Sequence, residues 1–313
     1  MKKGIMKFGL NVAIVLILVA AVDVVIGKTI DSLLPQISNQ GATGKTYFSL
    51  NEVNTPIVIV GSSRAAHHYV TQMVEDSIGM PTYNVARDGC FFSYNCCVVN
   101  SILDRYSPKL IIWENSLDYL YDGIEDPLER LYPYNLKNEW ISKALKEELT
   151  WEEYVRLSST LYKYNSTIHR ILIRYQGRNS FVDDTQKGYF PLMPKSRLTP
   201  LELRHEKETY YQLSDKKIER FRATLIRARD KQVKLVIVDS PKYKICNQNN
   251  GSAKMMHKIC DEYGALFIDN SQLSEILEHV EYFNDAGHMN DDGAKVYTEI
   301  FLSQIKEFAL SNL

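Results

Sequence analysis

The stretch "PIVIVGSSRAAHHYV", Pro56 to Val70, decides how the rest of the chain is read. Its apolar start does not alternate with polar residues, so it reads as a strand covered on both faces, as in a parallel sheet. Gly61-Ser62-Ser63-Arg64 then turns the chain into a helix. The residues themselves leave two readings of that turn: a small-residue corner, or a corner that presents a serine nucleophile.

Four further runs share the composition of the first: "TYNVA" (82–86), "PKLIIWEN" (108–115), "VKLVIVDS" (233–240) and "ALFIDN" (265–270). Helical periodicity falls between and after them, over 64–78, 92–105, 214–231, 252–263 and from Asp291 to about Ala309. The order βαβαβ…αβαβα predicts an α/β fold, a three-layer α/β/α sandwich around a mainly parallel five-stranded sheet. Ligand chemistry is then expected at the carboxyl ends of the strands, and the Gly61–Arg64 turn stands at such an end.

One crossover is far too long. Between the third and fourth strands the chain carries an insertion, about 118–212, whose first half has helical periodicity and whose second half is rich in turn residues. Excursions of this length from compact domains are usually lids or binding elements.

The chain begins with a basic head, "MKKGIMK", followed by an almost wholly apolar run from Phe8 to Gly27. About 20 apolar residues at 1.5 Å each match a hydrocarbon layer of about 30 Å. Lys2, Lys3 and Lys7 precede the run, so the positive-inside bias places the N-terminus in the cytoplasm and the remainder across the membrane. The expected organisation is a head and transmembrane anchor (1–28), a linker (29–54) and one α/β domain (55–313) carrying the insertion. Secretion after signal cleavage is the alternative, though the run is long for a signal core and lacks a clean cleavage site. Asn11 and Asp23 are costly in lipid, but each lies within reach of an interface.

Lys plus Arg number 37 against 38 Asp plus Glu, a net charge of −1, which gives no electrostatic footprint for nucleic acid. The 20 tyrosines and 3 tryptophans suit packing and, equally, stacking on sugar faces. Five cysteines without CxxC spacing indicate neither a zinc site nor a disulfide framework, leaving a single Cys246–Cys260 bridge as the pairing to consider. No metal or other cofactor is expected.

A serine hydroxyl needs a histidine base, and the base needs a group that fixes its tautomer. Among seven histidines, His288 has the setting for this role: Asp285 lies three residues earlier in "NDAGHMNDDGAK", close enough to turn back onto the imidazole at little entropic cost. His67 and His68 ride the helix after the turn and are expected to be surface or packing residues that face away from its mouth.

Four separated blocks resemble the SGNH or GDSL-like hydrolases. "VIVGSSRA" is similar to the first block, with Ser63 on the nucleophile position and Ser62 in place of the family's aspartate. "YNVARDGC" resembles the second, placing Gly89 on the glycine that donates to the oxyanion hole. "IIWENS" resembles the third, with Asn115 on its asparagine, while Trp113 and Ser116 depart from its glycine and aspartate. "DAGH" matches the last block, whose catalytic pair falls on Asp285 and His288. The resemblance covers about 55–301 outside the insertion and implies a flavodoxin-like sheet, a Ser63–His288–Asp285 triad, and an oxyanion hole made by Ser63, Gly89 and the Asn115 amide.

It also implies acyl-ester chemistry, by an esterase or an O-acyltransferase. With the anchor, the expected substrate is an acylated, most simply O-acetylated, cell-envelope saccharide or another ester. A membrane partner that supplies acyl groups would fit the transferase. A module that kept the fold and binds carbohydrate or assembles without catalysis is the alternative from another class.

Overall fold

A computed structural model describes residues 2–124, 126–165, 167–177, 185–194, 201–205, 211–245 and 250–311. The chain divides into two compact units, Met1–Tyr47 with Leu128–Val182, and Phe48–Pro127 with Asp183–Leu313.

The larger unit, Phe48–Pro127 with Asp183–Leu313, is the α/β sandwich. Its five strands are β1 (Ile57–Val60), β2 (Thr82–Asn84), β3 (Leu110–Glu114), β4 (Lys234–Asp239) and β5 (Leu266–Asp269). Every pairing among them is parallel and the spatial order is β2-β1-β3-β4-β5, the flavodoxin-like order expected. Two further strands, β6 (Phe283–Asp285) and β7 (His288–Met289), form a small antiparallel hairpin before the last helix, and a two-residue parallel pair joins Arg204–His205 to Lys244–Ile245.

Strand parity sorts the side chains between two cores. Ile57, Ile59, Leu110, Ile112, Val236 and Val238 pack with Ala65, Tyr69, Tyr297, Phe301 and Ile305 on one face. These come from α2 (Ser63–His68) and α10 (Asp291–Leu310), with α3 (Thr71–Ile78) completing the layer. The opposite layer is α4 (Phe92–Arg105), α8 (Asp215–Asp230) and α9 (Gly251–Tyr263). There Trp113, fully buried, stacks on Phe92 at 6.1 Å and meets Phe221 edge-on at 5.7 Å. Each fully buried aliphatic or aromatic side chain of this kind contributes about 1.5–3 kcal/mol.

The helix expected over 64–78 is two helices. The chain leaves helical geometry at Tyr69 (φ −118°, ψ 107°) and Val70 (φ −73°, ψ 99°), and the Val70 N–H donates to Thr298 Oγ1 at 3.0 Å. A side chain of α10 thus replaces the helical bond that propensity alone would have made.

The smaller unit, Met1–Tyr47 with Leu128–Val182, contains α1 (Lys2–Leu33) and the helical half of the insertion. That half forms α5 (Glu139–Glu148), α6 (Trp151–Arg156) and α7 (Ile168–Gln176). Thr150 begins α6 with a full capping box to Glu153. Residues 29–54 are not the expected linker: α1 runs on to Leu33, and a further helix spans Gly41–Asn51. Lys137 and Tyr164 both bind Asp31, with Lys137 Nζ at 2.8 Å. Among the described residues one helix, the N-terminal one, is long and apolar enough to cross a membrane. The Cys246–Cys260 pairing falls on Cys246, outside the described residues; Cys260 is buried.

Replacing Trp113 tests the packing of the α4/α8 face. Trp113→Ala should cost about 3–5 kcal/mol in a urea titration. Trp113→Phe should cost much less, because the indole Nε1 makes no hydrogen bond that the phenyl ring would lose.

Candidate active site

The corner after β1 depends on Gly61. Its φ is +155°, and an added Cβ would stand 2.6 Å from Ala65 Cβ and 2.9 Å from Glu114 Cβ, so no larger residue fits between α2 and β3. The chain then diverges its two serines. Ser62 is buried and its hydroxyl is hydrogen-bonded to that of Tyr119, whereas Ser63, the first residue of α2, is half-buried.

Ser63 Oγ lies 2.7 Å from His288 Nε2. On the other side of the ring, His288 Nδ1 is 2.9 Å from Asp285 Oδ1 and 3.1 Å from Oδ2. The hairpin accounts for this local pairing. Phe283 and Met289 are buried and anchor its arms, leaving Asp285 and His288 opposed across the turn. Gly287 N–H also donates to Asp285 Oδ1 at 2.8 Å. Burial works to raise the Asp285 pKa, but the Gly287 N–H and the His288 ring outweigh it and hold the carboxylate below its ordinary value. Asn290 then caps α10 through Gly293 N–H at 3.0 Å, fixing where the hairpin ends.

Of the two settings expected for His67 and His68 the structure shows packing, not surface, and they do not face away: both are buried, with ring centroids 5.6 and 6.4 Å from that of His288. Met289 N–H donates to His68 Nε2 at 3.0 Å, so the proton of His68 sits on Nδ1 and is donated to Ser240 Oγ at 2.7 Å. Burial, with Arg64 nearby, pushes the His68 pKa well below the usual histidine range, so this ring stays neutral and ties the residue after His288 to α2. His67 donates from Nδ1 to Phe190 O at 2.7 Å and meets the His288 ring edge-on at 5.6 Å.

Phe190 belongs to the segment 185–194, in the insertion's second half, which lies against α2 and α10. Phe190 N donates to Ala66 O at 2.8 Å, and Asp291 N to Leu192 O at 2.8 Å. Phe190 remains largely exposed beside the His67 ring, at 5.6 Å between centroids.

Beneath Ser63 is a buried ionic cluster that the sequence reading did not single out. Arg64 Nη1 binds Asp239 Oδ1, lies 3.0 Å from Glu114 Oε1, and donates to Ser240 O at 2.8 Å. Glu114 also accepts from Tyr69 Oη and, at 3.2 Å, from Ser240 N–H. Burial pushes both carboxyls up. At Asp239 the Arg64 guanidinium outweighs burial and holds the pKa below its usual value, whereas Glu114 remains raised.

The three expected oxyanion donors fare differently. Ser63 stands at the first helical position, where its N–H has no intrahelical acceptor. Gly89, at φ +63°, lies in a turn closed by Cys90 N to Arg87 O; Arg87 N–H donates to Gly61 O at 3.1 Å, which brings that turn to the serine corner. Asn115, the residue after β3, is buried, and its side-chain amide reaches Met256 Sδ on α9 at 3.7 Å.

Compared with known proteins, the chain matches no family model and no curated protein. Among solved structures it is similar to a psychrotrophic esterase, EstA from Pseudoalteromonas sp., in a form inhibited by monoethylphosphonate. The identity is 11%, the TM-score 0.41, and the match covers 80% of this chain and 97% of the other.

The ionic cluster yields a stability prediction. Arg64→Met should cost about 3–5 kcal/mol at pH 7, because it leaves two buried carboxyls without their cation. In the parent, Asp239 with its depressed pKa contributes stability above the ordinary carboxylate value that is lost as the pH falls through its folded value. In the variant, burial alone raises both carboxyls, so protonation relieves it. The gap between the two, read by urea unfolding, should narrow as the pH is lowered from 7 towards about 4.

Proposed function

We propose that the α/β unit is a serine-dependent acyl-ester hydrolase or O-acyltransferase of the SGNH type, with Ser63 as nucleophile, His288 as base and Asp285 as the group that holds the imidazole. The observation that supports it is the continuous chain Ser63 Oγ, His288 Nε2, His288 Nδ1, Asp285 Oδ1, with links of 2.7 and 2.9 Å.

In this reading Ser63 Oγ attacks the ester carbonyl carbon while its proton passes to His288 Nε2. Asp285, ionised at neutral pH, accepts from Nδ1–H and stabilises the imidazolium. The developing oxyanion is met by the N–H groups of Ser63 and Gly89. His288 then returns the proton to the departing alcohol, leaving an acyl-serine. Water or a sugar hydroxyl, deprotonated by the same imidazole, attacks the acyl-serine and restores Ser63. Which acceptor the site admits separates esterase from transferase. An O-acetylated envelope saccharide is the proposed substrate, on the strength of the motif resemblance and of the anchor.

The anchor reading places α1 as a retained single span, N-terminus in the cytoplasm. Asp23 of α1 accepts from Ser159 Oγ at 2.5 Å, from Thr160 N at 2.7 Å and from Leu161 N at 3.0 Å. An added Cβ at Gly27 would stand 2.2 Å from Thr160 Oγ1, so helix and segment are in close contact. A cleaved leader would take these partners away from the fold.

The functional test uses the full chain in detergent with p-nitrophenyl acetate and a fluorophosphonate. Labelling and turnover should both be lost in Ser63→Ala and His288→Ala, and survive in Ser62→Ala. A folded parent chain that neither labels nor turns over ester, yet binds saccharide, would favour the non-catalytic module.

Asn115→Ala provides a separate check on the oxyanion hole. Turnover should stay well above the roughly 10²–10³-fold loss that follows removal of an oxyanion donor. A loss of that size would return Asn115 to the site.

A further inference from the structure

The smaller unit leaves apolar side chains uncovered in a particular place. On α6, Trp151 is 75% exposed and Val155, four residues on and hence on the same side, is 43% exposed. On α7, which packs against α1, Ile171 is buried while Leu172 and Ile173 are exposed at 44% and 63%. Exposed cations are interleaved with them: Arg156 ends α6, and Arg170 and Arg174 flank the apolar pair of α7.

The Asp23 network fixes the depth at which these helices sit. The apolar run of α1 ends at Gly27, and four residues of helix rise about 6 Å. Asp23 therefore lies about that far inside the end of the run, and because a carboxylate and the polar backbone it binds cannot remain in hydrocarbon, the interfacial layer begins at Asp23 rather than at Gly27. Ser159, Thr160 and Leu161, which satisfy Asp23, must lie at the same depth. α6 ends shortly before that segment and α7 starts shortly after it, so the facing ends of both helices lie at the membrane surface. A tryptophan, branched aliphatics and arginines on short helices are the residue set that partitions into the headgroup–acyl boundary, the rings and aliphatics downward and the guanidinium groups towards phosphate.

We propose that α6 and α7 form a second, interfacial membrane contact, in which Trp151, Val155, Leu172 and Ile173 dip into the phospholipid boundary beside α1. The proposal rests on the reading of α1 as a retained span. It goes further, because a span alone leaves the smaller unit free to tilt on its stem, whereas a span with an amphipathic footing fixes the orientation of that unit on the bilayer. The Asp23 hydrogen bonds then have a mechanical role: they hold the footing at the level where lipid begins.

The test uses the full chain in phosphatidylcholine nanodiscs, with and without lipid brominated at acyl carbons 6 and 7, and reads tryptophan emission. Bromolipid should quench part of the parent emission. That loss should disappear in Trp151→Phe and persist in Trp140→Phe; Trp151 is exposed, so its replacement leaves the fold intact. Equal bromolipid quenching in the parent and Trp151→Phe would overturn the proposal. So would two copies per disc with Trp151 shielded from lipid, which would make the face a contact between chains. A chain that separates from the discs on gel filtration would instead overturn the anchor reading, and this proposal with it.

Discussion

The guanidinium of Arg64 is the interaction on which the rest of the α/β unit depends. It stands one residue after Ser63 and joins the first turn of α2 to the carboxyl ends of two strands, through Glu114 of β3 and Asp239 of β4. A buried cation with two buried carboxyls tolerates little displacement, because each charge that loses its partner meets the full cost of desolvation. The hydroxyls and N–H groups around the cluster, from Tyr69 and Ser240, leave little freedom for the α2 corner. Ser240 then carries the constraint outward: it accepts from Arg64 and pairs with His68, which receives the Met289 N–H beside His288. Ser63 and His288 are 225 residues apart in sequence and are referred to one another through this buried route.

Much of this was legible in the sequence. The five strands were, because an unbroken run such as Ile57–Val60 admits few other environments, and their order with the helices selects the sheet topology. Asp285 and His288 were legible because three residues of separation make their pairing local. Arg64 was not. Its partners lie about 50 and 175 residues away, and nothing near Arg64 tells a buried guanidinium from a helix-surface one. The direction of His67 and His68 was not legible because the groups that hold their rings, Phe190, Ser240 and Met289, are remote in sequence. The contact of Asn115 was not legible either, because it lies one residue past β3 and its partner Met256 is 141 residues further along the chain.

The two units divide the physical problem. In the larger one the site is held by buried polar contacts around a packed sheet. In the smaller one, α1 changes character along its length, from an exposed apolar run to a segment hydrogen-bonded to the insertion through Asp23 and Asp31. Within the insertion, the helical half is hydrogen-bonded to the end of α1, and the segment 185–194 lies against the helix that carries Ser63.

The central claim is that Ser63, not Ser62, is poised for attack with the oxyanion facing the Ser63 and Gly89 N–H groups. A crystal structure of the covalent fluorophosphonate adduct tests it most directly. The account predicts phosphorus on Ser63 Oγ and the phosphoryl oxygen at about 2.7–3.1 Å from both N–H groups, with the Asn115 amide still against Met256. Phosphorus on Ser62, or a phosphoryl oxygen bound by Asn115, would contradict it.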